Sequence, residues 1–556
     1  MNARPGFALA AAALLALAAA RAVAVQPVFS PTVDQHIHLL TGLEWWDRGS
    51  YEFEPLHPPL SRALLAALPY AAGLRLPPEV RDFRCPTFAR SLERLRPNGK
   101  RFACMSRIPL DVDGFFTARA DYERLFRLAG LGTLPLLLLA GGVTLLWALA
   151  LPGYDRATAL LALLLVTTLP PILGHAGVAT TDMALVATLP LALLAGWWLL
   201  AAPSALRAAG WGAALGLALL SKFSVLLFLP PTLAVLVLVH WRSGREAPLG
   251  RAWRPLWAAA LAALLVVWAG YRFRVGSIQE LVPGAGPGAL AALPLVPAPD
   301  FVAGIYDALK KEAAGHAYFV LGRALDRRGV WYFFPVALAF KTPLAFLGAA
   351  ALGAAAALRR PRSLQAALPL LLAAALLLAA MTVDVNVGLR HLLVIYPFLA
   401  LAAAFGLRRA FQASRAGQAA AALLLGTHLV SSARAHPDYL AYFNALARGR
   451  PEEVLVDSDL DWGQDVKRLA LALQARGVRE VTTCRAGSVP LAVYAPEVRE
   501  SRACPSQPVP GWLAVGLSDL KAFHRDALGW LAGEPPVARV GSSMVLYHVA
   551  SRPGAP

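Results

Sequence analysis

The feature that most constrains this chain is a series of long apolar segments, rich in leucine and alanine, that recurs from the N-terminus to about residue 433. About 20 consecutive apolar residues let a helix cross a bilayer, and no alternating pattern indicates a membrane barrel. We therefore predict an all-α polytopic membrane protein with about eleven transmembrane helices. The predicted spans are 6–25, 128–150, 156–174, 181–201, 209–222, 223–240, 255–272, 332–357, 365–382, 389–406 and 417–433.

Basic residues predict the orientation of these spans. Three short loops carry Arg242, Arg245, Arg251 and Arg254, then Arg359, Arg360 and Arg362, then Arg408, Arg409 and Arg415. All three loops fall on one side of the predicted bundle, and the positive-inside rule makes that side cytoplasmic. The N-terminus is then cytoplasmic and the tail extracytoplasmic. Residues 1–24 are interpreted as an uncleaved first helix, with a cleavable signal peptide as the alternative.

The net charge of +18 is largely explained by these basic loops, so we predict no nucleic-acid partner. Two domains are predicted: a transmembrane domain over 1–433, with large extracytoplasmic loops at 26–127 and 273–331, and an extracytoplasmic domain over 434–556. The extracytoplasmic domain is predicted to be a small α/β unit. Its predicted elements are a helix at 465–475 and strands at 454–456, 480–483, 512–515 and 544–547.

All four cysteines fall in segments predicted to lie outside the cytoplasm. In an oxidising compartment, disulfides Cys85–Cys104 and Cys484–Cys504 are predicted, and four unpaired thiols are the alternative. Their spacing does not fit a zinc site, so no metal is predicted.

A carboxylate follows the first apolar segment, and a rigid turn comes soon after it. Asp34 near the membrane face is costly unless it is paired or used, and partial burial would suit a general base. A helix cap or a surface ion pair is the alternative. His57 precedes Pro58 and Pro59, which restrict the backbone. His57 is predicted to contact a phosphate or a sugar hydroxyl, or alternatively to cap the next helix.

Other polar residues lie at the predicted outer ends of later spans. Asp182 could orient an acceptor, pair with a cation or cap its helix. Candidate cations for a phosphate are Arg124, Lys222, Lys341 and Arg390, although the two lysines could simply snorkel to lipid headgroups. His316 and Tyr318 flank the second large loop with aromatic neighbours, which suit either sugar stacking or an interfacial belt. No nucleotide-binding motif occurs, so no cofactor is predicted.

Taken in order, these motifs resemble the C-type glycosyltransferase superfamily, and most closely its protein O-mannosyltransferase and aminoarabinose lipid A transferase branches. Asp34 and the His57-Pro58-Pro59-Leu60 turn carry the resemblance first. Further matches are Arg124-Leu125, Thr181-Asp182-Met183, His316, Lys341-Thr342-Pro343, Gly388-Leu389-Arg390, Tyr396-Pro397, Tyr439 to Asn444 and Asp457 to Asp465. Gln35 departs from the mannosyltransferases, which carry Asp-Glu where this chain has Asp34-Gln35, so a protein acceptor is in doubt.

The resemblance implies a bacterial inner-membrane enzyme that transfers a sugar, with inversion, from a polyprenyl-phosphate donor to an unidentified extracytoplasmic acceptor. Asp34 would be the general base. Arg390, Lys341 and Arg124 would offset the phosphate charge, and Asp182 and His57 would orient donor or acceptor. Two alternatives stay open: a lipid or polyprenol-sugar flippase, and a non-catalytic scaffold. The scaffold reading rests on the acidic run Asp457–Asp465, which is otherwise interpreted as a loop leading into a helix.

Overall fold

The computed structural model describes residues 5–83, 105, 107–243, 255–277, 295–359 and 364–550. Each of the eleven predicted apolar segments is helical over most of its length. The helices of this part are Pro5–Ala24, Tyr122–Leu131, Leu134–Ala150, Arg156–Thr167, Pro170–Ala176, Asp182–Ala201, Ala205–Leu219, Val225–Arg242, Leu256–Gly270, Phe333–Lys341, Leu344–Leu358, Leu364–Ala380, Tyr396–Ala413 and Arg415–Arg434.

Helix length and composition make the chain an integral membrane protein. Within the described ranges, five helical stretches are long and apolar enough to cross a membrane, or up to seven if each of two bent pairs is one span. The five are Pro5–Val28, Tyr122–Ala150, Asp182–Ala201, Val225–Arg242 and Leu389–Ala413. Three apolar helices are shorter: Ala205–Leu219, Leu256–Gly270 and Leu364–Ala380. The number eleven therefore stays a prediction.

Two predicted spans are broken helices. Residues 332–357 form two helices that meet at 112°, and residues 156–174 form two that meet at 61°. In both cases a proline begins the second helix or precedes it, and the residue before the proline is extended: Thr342 at ψ 136° and Leu169 at ψ 124°. A proline disfavours helical backbone in the residue that precedes it. Both predicted spans are therefore bent, and that each pair forms one span stays a prediction.

Two of the spans are the most buried of the five and both begin at the same end of the bundle. Asp182–Ala201 has 78% of its apolar window buried, and Leu389–Ala413 has 89%. The second opens with a short 3-10 helix, Leu389–Ile395. Asp182 and Arg390 therefore lie at the ends of well-packed elements, which suits residues that have to be held in fixed positions.

The first large loop folds into short helices over the described residues: Gln35–Asp47, Pro59–Ala71, Pro78–Arg81 and Val112–Thr117. The second contributes the helix Pro299–Ala314 and two small antiparallel hairpins, Val275–Gly276 with Val296–Pro297 and Tyr318–Val320 with Arg323–Leu325. These segments cover the end of the bundle that carries Asp182 and Arg390.

The tail contains a five-stranded mixed sheet and one helix, Val466–Gln474. The strands are ordered Arg499–Arg502, Glu480–Cys484, Gly511–Gly516, Met544–Val549 and Ala538–Val540. The first three are parallel and the last two pair antiparallel. The predicted helix and three of the four predicted strands are confirmed. The strands Arg499–Arg502 and Ala538–Val540 were not predicted: both are short, and the first is wholly polar.

The predicted strand at 454–456 was wrong. Its apolar residues follow a 3-10 turn at Pro451–Glu453, and Leu455 forms an isolated bridge with Val320 of the second loop. All three residues are buried. A short apolar run signals burial as readily as it signals a strand, and here it packs the tail onto the second loop.

The predicted disulfide Cys484–Cys504 is confirmed and joins the end of a central strand to the loop after its neighbour. Cys85 and Cys104 lie outside the described residues.

Candidate active site

Asp34 and Arg390 meet at the end of the helical bundle. Arg390 Nη1 donates to Asp34 Oδ2 at 3.2 Å, with side-chain exposures of 15% and 34%. Asp34 directly precedes the helix Gln35–Asp47, and its side chain makes no capping hydrogen bond. The alternative reading of Asp34 as a helix cap was therefore wrong. Its other carboxylate oxygen, Oδ1, accepts no hydrogen bond from the described residues and can accept one from a substrate.

Arg390 is placed by the close packing of its turn on the tail. Gly388 has φ +150°, and a Cβ there would lie 2.5 Å from Ser458 Oγ. Ser458 Oγ donates to Val387 O at 2.6 Å, and the Asp459 carboxylate accepts from Leu389 N at 3.1 Å. A residue with a side chain at 388 would push this turn away from the tail. The Gly388-Leu389-Arg390 motif is thus a turn that packs on the tail and carries Arg390 at its end.

A buried ion pair lies next to Arg390. Lys222 Nζ donates to Asp182 Oδ1 at 2.6 Å, and Thr180 Oγ1 donates to Asp182 Oδ2 at 3.3 Å. Lys222 lies in the break between the helices Ala205–Leu219 and Val225–Arg242. The prediction that Asp182 pairs with a cation is confirmed, and the capping alternative was wrong, since Asp182 is itself the first helical residue. Breaking such a buried pair costs several kcal/mol, about 3–5.

Lys311 adds a third cation to this group. It projects from the helix Pro299–Ala314 and lies within electrostatic range of Arg390, Asp34 and Lys222. Lys311 is exposed to solvent; partial desolvation and the charges of Arg390 and Lys222 lower the pKa of its ammonium, although Asp34 opposes the shift. It forms no hydrogen bond or ion pair with any part of the chain that the structure describes. We call Asp34, Asp182, Lys222, Lys311 and Arg390 the Asp34 cluster.

Histidines border the Asp34 cluster. His38 and His57 contact each other edge to face, with ring centroids 5.4 Å apart. Burial, and then the charge of Arg62, lower the pKa of both well below its ordinary value, so both rings are neutral at pH 7. The predicted capping role of His57 was wrong, since Pro58 is the N-cap of the next helix and no side-chain cap is formed. His175 and His391 are also within electrostatic range of Asp182 and Arg390.

Behind these rings, Arg62 organises the first loop. Its fully buried guanidinium pairs with Glu54, donates to Tyr51 Oη at 3.0 Å and donates from Nε to His38 Nδ1 at 3.1 Å. Because Nδ1 of His38 accepts, its proton resides on Nε2. Burial raises the pKa of Glu54 to about 7, although Arg62 opposes the rise. This network fixes one wall of the site and does not face Asp34 itself.

Gln35, where the mannosyltransferases carry Glu, has a structural role in this chain. Its buried Oε1 accepts from Ala179 N at 3.1 Å, and its Nε2 donates to Thr32 Oγ1 at 3.2 Å. These bonds tie the Asp34 segment to the turn that leads into Asp182. An amide supplies the donor and the acceptor together, which an ionised carboxylate cannot do.

Lys341 is not part of the Asp34 cluster. Its buried ammonium donates to Leu440 O at 2.7 Å and to Asp459 O, and lies 4.5 Å from the centroid of the Phe443 ring. The break before Pro343 turns the end of its helix toward the tail. The snorkelling alternative was wrong, because this lysine anchors the tail. Contact between Lys341 and a donor phosphate stays a prediction, although the ammonium is already held by two carbonyl oxygens.

Arg124 and Tyr318 also lie elsewhere. Arg124 is exposed on the helix Tyr122–Leu131, on the face turned away from the packed core. Tyr318 is buried and donates its hydroxyl to Arg328 O at 2.7 Å, with Phe333 against its ring. Arg124 is therefore not positioned beside Arg390, and Tyr318 is a packing residue of the second loop without an open ring face.

His316 is linked to the Asp34 cluster through one intervening residue, Asp457. Its Nε2 is 3.7 Å from Asp457 Oδ2, and Asp457 is within electrostatic range of Arg390. Asp457 has the unusual φ of +55°, a conformation that costs about 1–3 kcal/mol in a non-glycine residue. The Asp457 amide donates to Ser518 Oγ at 2.8 Å, which holds it there.

The acidic run Asp457–Asp465 is confirmed as a loop leading into a helix. Its carboxylates accept hydrogen bonds from different main-chain amides. Asp459 accepts from Leu389 N and Asp461 accepts from Ser518 N. Asp465 accepts from Ser542 N and Ser543 N. Trp462 of the same run packs its ring on Arg390, with Arg390 Cζ 4.3 Å from the ring centroid. Trp462, Lys311 and His38 were not predicted from the sequence, and the one signal for Trp462 was its place within a motif without an assigned role.

A narrow cleft lies beside Gln35, next to the Asp34 segment. Thr32, Gln35 and Gly174 line the wall nearest the cluster, and Glu123, Arg127 and Lys467 line the opposite part. Neither Asp34 nor Arg390 contributes to it, so the cleft is separate from the ion pairs.

One group of potential metal ligands occurs among the described residues: Cys484, Cys504, Asp519 and His524. The two sulfurs are joined in a disulfide, and metal ligation requires thiolates. This group does not form a metal site in the oxidised protein.

No family model matches the sequence, and no curated protein matches it either. The structure is similar to ArnT from Cupriavidus metallidurans bound to undecaprenyl phosphate, at 14% identity and TM-score 0.48, over 100% of both chains. The apo state of that protein gives 14% identity and TM-score 0.47, over 96% of this chain and 97% of the other. The Archaeoglobus fulgidus oligosaccharyltransferase in the apo form gives 12% identity and TM-score 0.41, over 92% of this chain and 70% of the other.

Proposed function

We propose that this protein transfers a sugar, with inversion, from a polyprenyl-phosphate-linked donor to an extracytoplasmic acceptor, with Asp34 as the general base. The observation that carries the proposal is the Asp34–Arg390 pair, in which one oxygen of a partly exposed carboxylate is held at 3.2 Å while the other is open. A base has to reach the proton it removes, and the open Oδ1 meets that requirement.

The step balances without a cofactor. The acceptor hydroxyl oxygen forms a bond to the anomeric carbon while its proton passes to Asp34 Oδ1. The bond between the anomeric carbon and the phosphate oxygen breaks, and the electron pair leaves with the polyprenyl phosphate. The leaving phosphate gains a negative charge, so cations that stabilise it selectively lower the barrier.

The cations of the Asp34 cluster fit this requirement unequally. Lys222 is neutralised by Asp182 at 2.6 Å, and Arg390 shares its charge with Asp34. Lys311 forms no ion pair within the described residues and has a lowered pKa. We assign Arg390 and Lys311 to the phosphate, Lys222 to holding Asp182 ionised, and Asp182 and His57 to donor or acceptor orientation. This replaces Lys341 and Arg124 as the proposed cations.

The position of the buried charges favours a transferase over a flippase. A flippase more often carries paired charges at mid-bilayer depth. Asp182 is instead the first residue of its helix, and Lys222 lies in a break between two helices. Both face the covering loops that carry Asp34 and Lys311, which suits chemistry at the end of the bundle.

Sugar transfer from a set of radiolabelled polyprenyl-phosphate sugars to membrane extracts tests the proposal. We expect Asp34→Asn to lower transfer about 10²–10⁴-fold at matched expression, the usual contribution of a general base. Asp155→Asn is the control, since Asp155 is also partly exposed and also pairs with one arginine, Arg408, at 2.6 Å. Wild-type rates in Asp34→Asn would remove Asp34 from the mechanism. Polyprenol-sugar translocation without transfer would favour the flippase.

A further inference from the structure

The acidic run of the tail is bonded directly to the segment that precedes Asp34. Val33 N donates to Trp462 O at 3.1 Å, and Ser30 N donates to Gln464 O at 3.0 Å. The Ser30 hydroxyl donates to Gln464 O at 2.9 Å and accepts from Val466 N at 3.2 Å. Asp34 is the next residue after Val33, so the main chain of Trp462 fixes the backbone from which the proposed base projects.

The side chain of Trp462 fixes the other half of the pair. Arg390 Cζ lies 4.3 Å from the centroid of the indole ring, and Trp462 is 3% exposed. Arg390 Nε is buried and has no hydrogen-bond partner among the described residues, and within them Asp34 is the one acceptor to which the Arg390 guanidinium donates. A guanidinium held by a single hydrogen bond can rotate. A ring face beneath it restricts that rotation through a cation–π contact, which is strongest when water is excluded.

A tight turn holds Trp462 in this place. Trp462 N donates to the side-chain oxygen of Gln464 at 2.7 Å, and Gln464 Nε2 donates to Leu460 O at 2.8 Å. Gly463 between them has φ +79°, which a residue with a side chain rarely adopts. The Trp462-Gly463-Gln464 sequence is thus built to present the indole toward the bundle, in contact range of His175 as well, at 6.0 Å between ring centroids.

We propose that Trp462 is a positioning residue that holds Arg390 and Asp34 together. Its ring holds the Arg390 guanidinium, and its main-chain carbonyl holds the backbone from which Asp34 projects. This inference rests on the proposed sugar transfer, and it makes the extracytoplasmic tail an integral part of the site. Trp462 acts through Arg390. Its substitution therefore lowers turnover in the wild-type background and has little further effect in a variant whose Arg390 is already substituted.

The test compares Trp462→Leu and Trp462→Phe in the full-length protein, with Trp512→Leu as control. Trp512 is a half-buried tail indole that packs on His548, 4.8 Å between ring centroids, without a contact to Arg390. We expect Trp462→Leu to lower kcat at least about tenfold with KM changed less, since small misplacements of reacting groups cost up to about 100-fold. Trp462→Phe keeps a ring face and should recover most of the rate. Trp512→Leu should match the wild type.

A double-mutant cycle separates positioning from general stability. In an Arg390→Lys background, Trp462→Leu should cause little further loss, whereas an independent structural role would give the full additional loss. Independent losses, or wild-type kcat in Trp462→Leu, would overturn the proposal.

A second measurement does not depend on transfer. With 5-fluorotryptophan incorporated, the ¹⁹F resonance of Trp462 is identified by its disappearance in Trp462→Phe. It should shift in Arg390→Leu while that of Trp512 stays in place. An unmoved Trp462 resonance would refute the contact. If the wild type transfers no sugar and the resonance moves, the proposed reaction fails while the Trp462–Arg390 contact stands.

Discussion

Two buried lysines in similar apolar surroundings have different partners. Lys222 meets a carboxylate, Asp182, at 2.6 Å beside the Asp34–Arg390 pair. Lys341 meets main-chain carbonyls of the tail, those of Leu440 and Asp459. Both lie near breaks between helices, where the main chain has left its regular hydrogen bonding.

The difference shows that a buried lysine near a helix break has two uses. One lysine adds a charge to a site, and the other satisfies carbonyl oxygens where two parts of the chain join. Asn444 supports the second use, since its Nδ2 donates to Ala339 O at 2.6 Å and to Thr342 O at 2.7 Å around the break that follows Lys341. Substituting each lysine should therefore affect a different property.

The largest expected effect is on activity at Lys222. Lys222→Met alone leaves a buried, unpaired Asp182, at a cost of about 3–5 kcal/mol. The double variant Lys222→Met with Asp182→Asn removes both charges and should fold. We expect this double variant to transfer sugar at least about 100-fold more slowly than the wild type, because the electrostatic environment of Arg390 has changed.

Thermal unfolding of the double variant is the control. An unfolding temperature close to wild type together with lost transfer assigns the pair to the site. Full transfer by the double variant would mean that the Asp182–Lys222 pair is only structural. Lys222 and Lys341 would then have the same kind of role.

The second expected effect is on stability at Lys341. Lys341→Met leaves two buried carbonyls without their donor and Asp459 without its nearest cation, and should lower the free energy of unfolding by about 3 kcal/mol. Limited proteolysis should then cut the tail from the membrane part sooner.

Lys521→Met is the matched control, since Lys521 forms a surface pair with Glu453 at 2.7 Å and surface pairs contribute little. If Lys341→Met abolished transfer while leaving stability and proteolysis unchanged, Lys341 would belong to the site after all.

The sequence predicted the helices well because their signal is local. A run of apolar residues specifies a buried helix by itself, and the strands at 480–484, 511–516 and 544–549 also carried β-branched or alternating patterns. Pro343 and Pro170 indicate helix breaks in the sequence itself, but the spans 332–357 and 156–174 were predicted without a bend. The run 454–456 was misread, because burial against Val320 of the second loop depends on tertiary packing.

The site was predictable only in part. Asp34, Asp182, His57 and Arg390 were found because a charged or rigid motif near a membrane face is unusual. Lys311 was missed because it is an exposed lysine on an amphipathic loop helix, and its approach to Arg390 depends on how that helix packs over the bundle. Trp462 was missed because its role depends on Arg390, which lies 72 positions earlier in the sequence, and on the fold of the tail. Distances between residues far apart in sequence cannot be read from spacing.

The third expected effect is a pH dependence on the Lys341 side of the comparison. Burial raises the pKa of Asp459 from its ordinary value of 3.8 to about 6, although Lys341 opposes the rise. The folded protein therefore binds more protons than the unfolded chain between about pH 4 and 6. Asp459 should thus reduce stability as pH rises through that window, by at most ~1.4 kcal/mol per unit.

Unfolding temperatures of the wild type and Asp459→Asn from pH 4 to 7 measure this contribution. Asp459→Asn should show a smaller loss with rising pH over the window. Parallel curves for the two proteins would mean that Lys341 and Leu389 N keep Asp459 ionised throughout, as Lys222 does for Asp182.

The smallest expected effects fall on Arg124 and Tyr318, which sequence motifs placed in the site and the structure does not. Arg124→Ala removes an exposed cation and should leave transfer within about twofold, since exposed substitutions are usually within ±0.5 kcal/mol. Tyr318→Phe removes one hydrogen bond to Arg328 O and should cost about 1 kcal/mol of stability with unchanged kcat. A large loss of kcat in either variant, measured beside Asp34→Asn, would mean that the site extends beyond the Asp34 cluster. Arg124 and Lys341 were both predicted from the sequence to be cations of the site. Unchanged transfer in Arg124→Ala, together with a loss of stability alone in Lys341→Met, would show that a cation contributes to this site only where the fold brings it within range of Asp34.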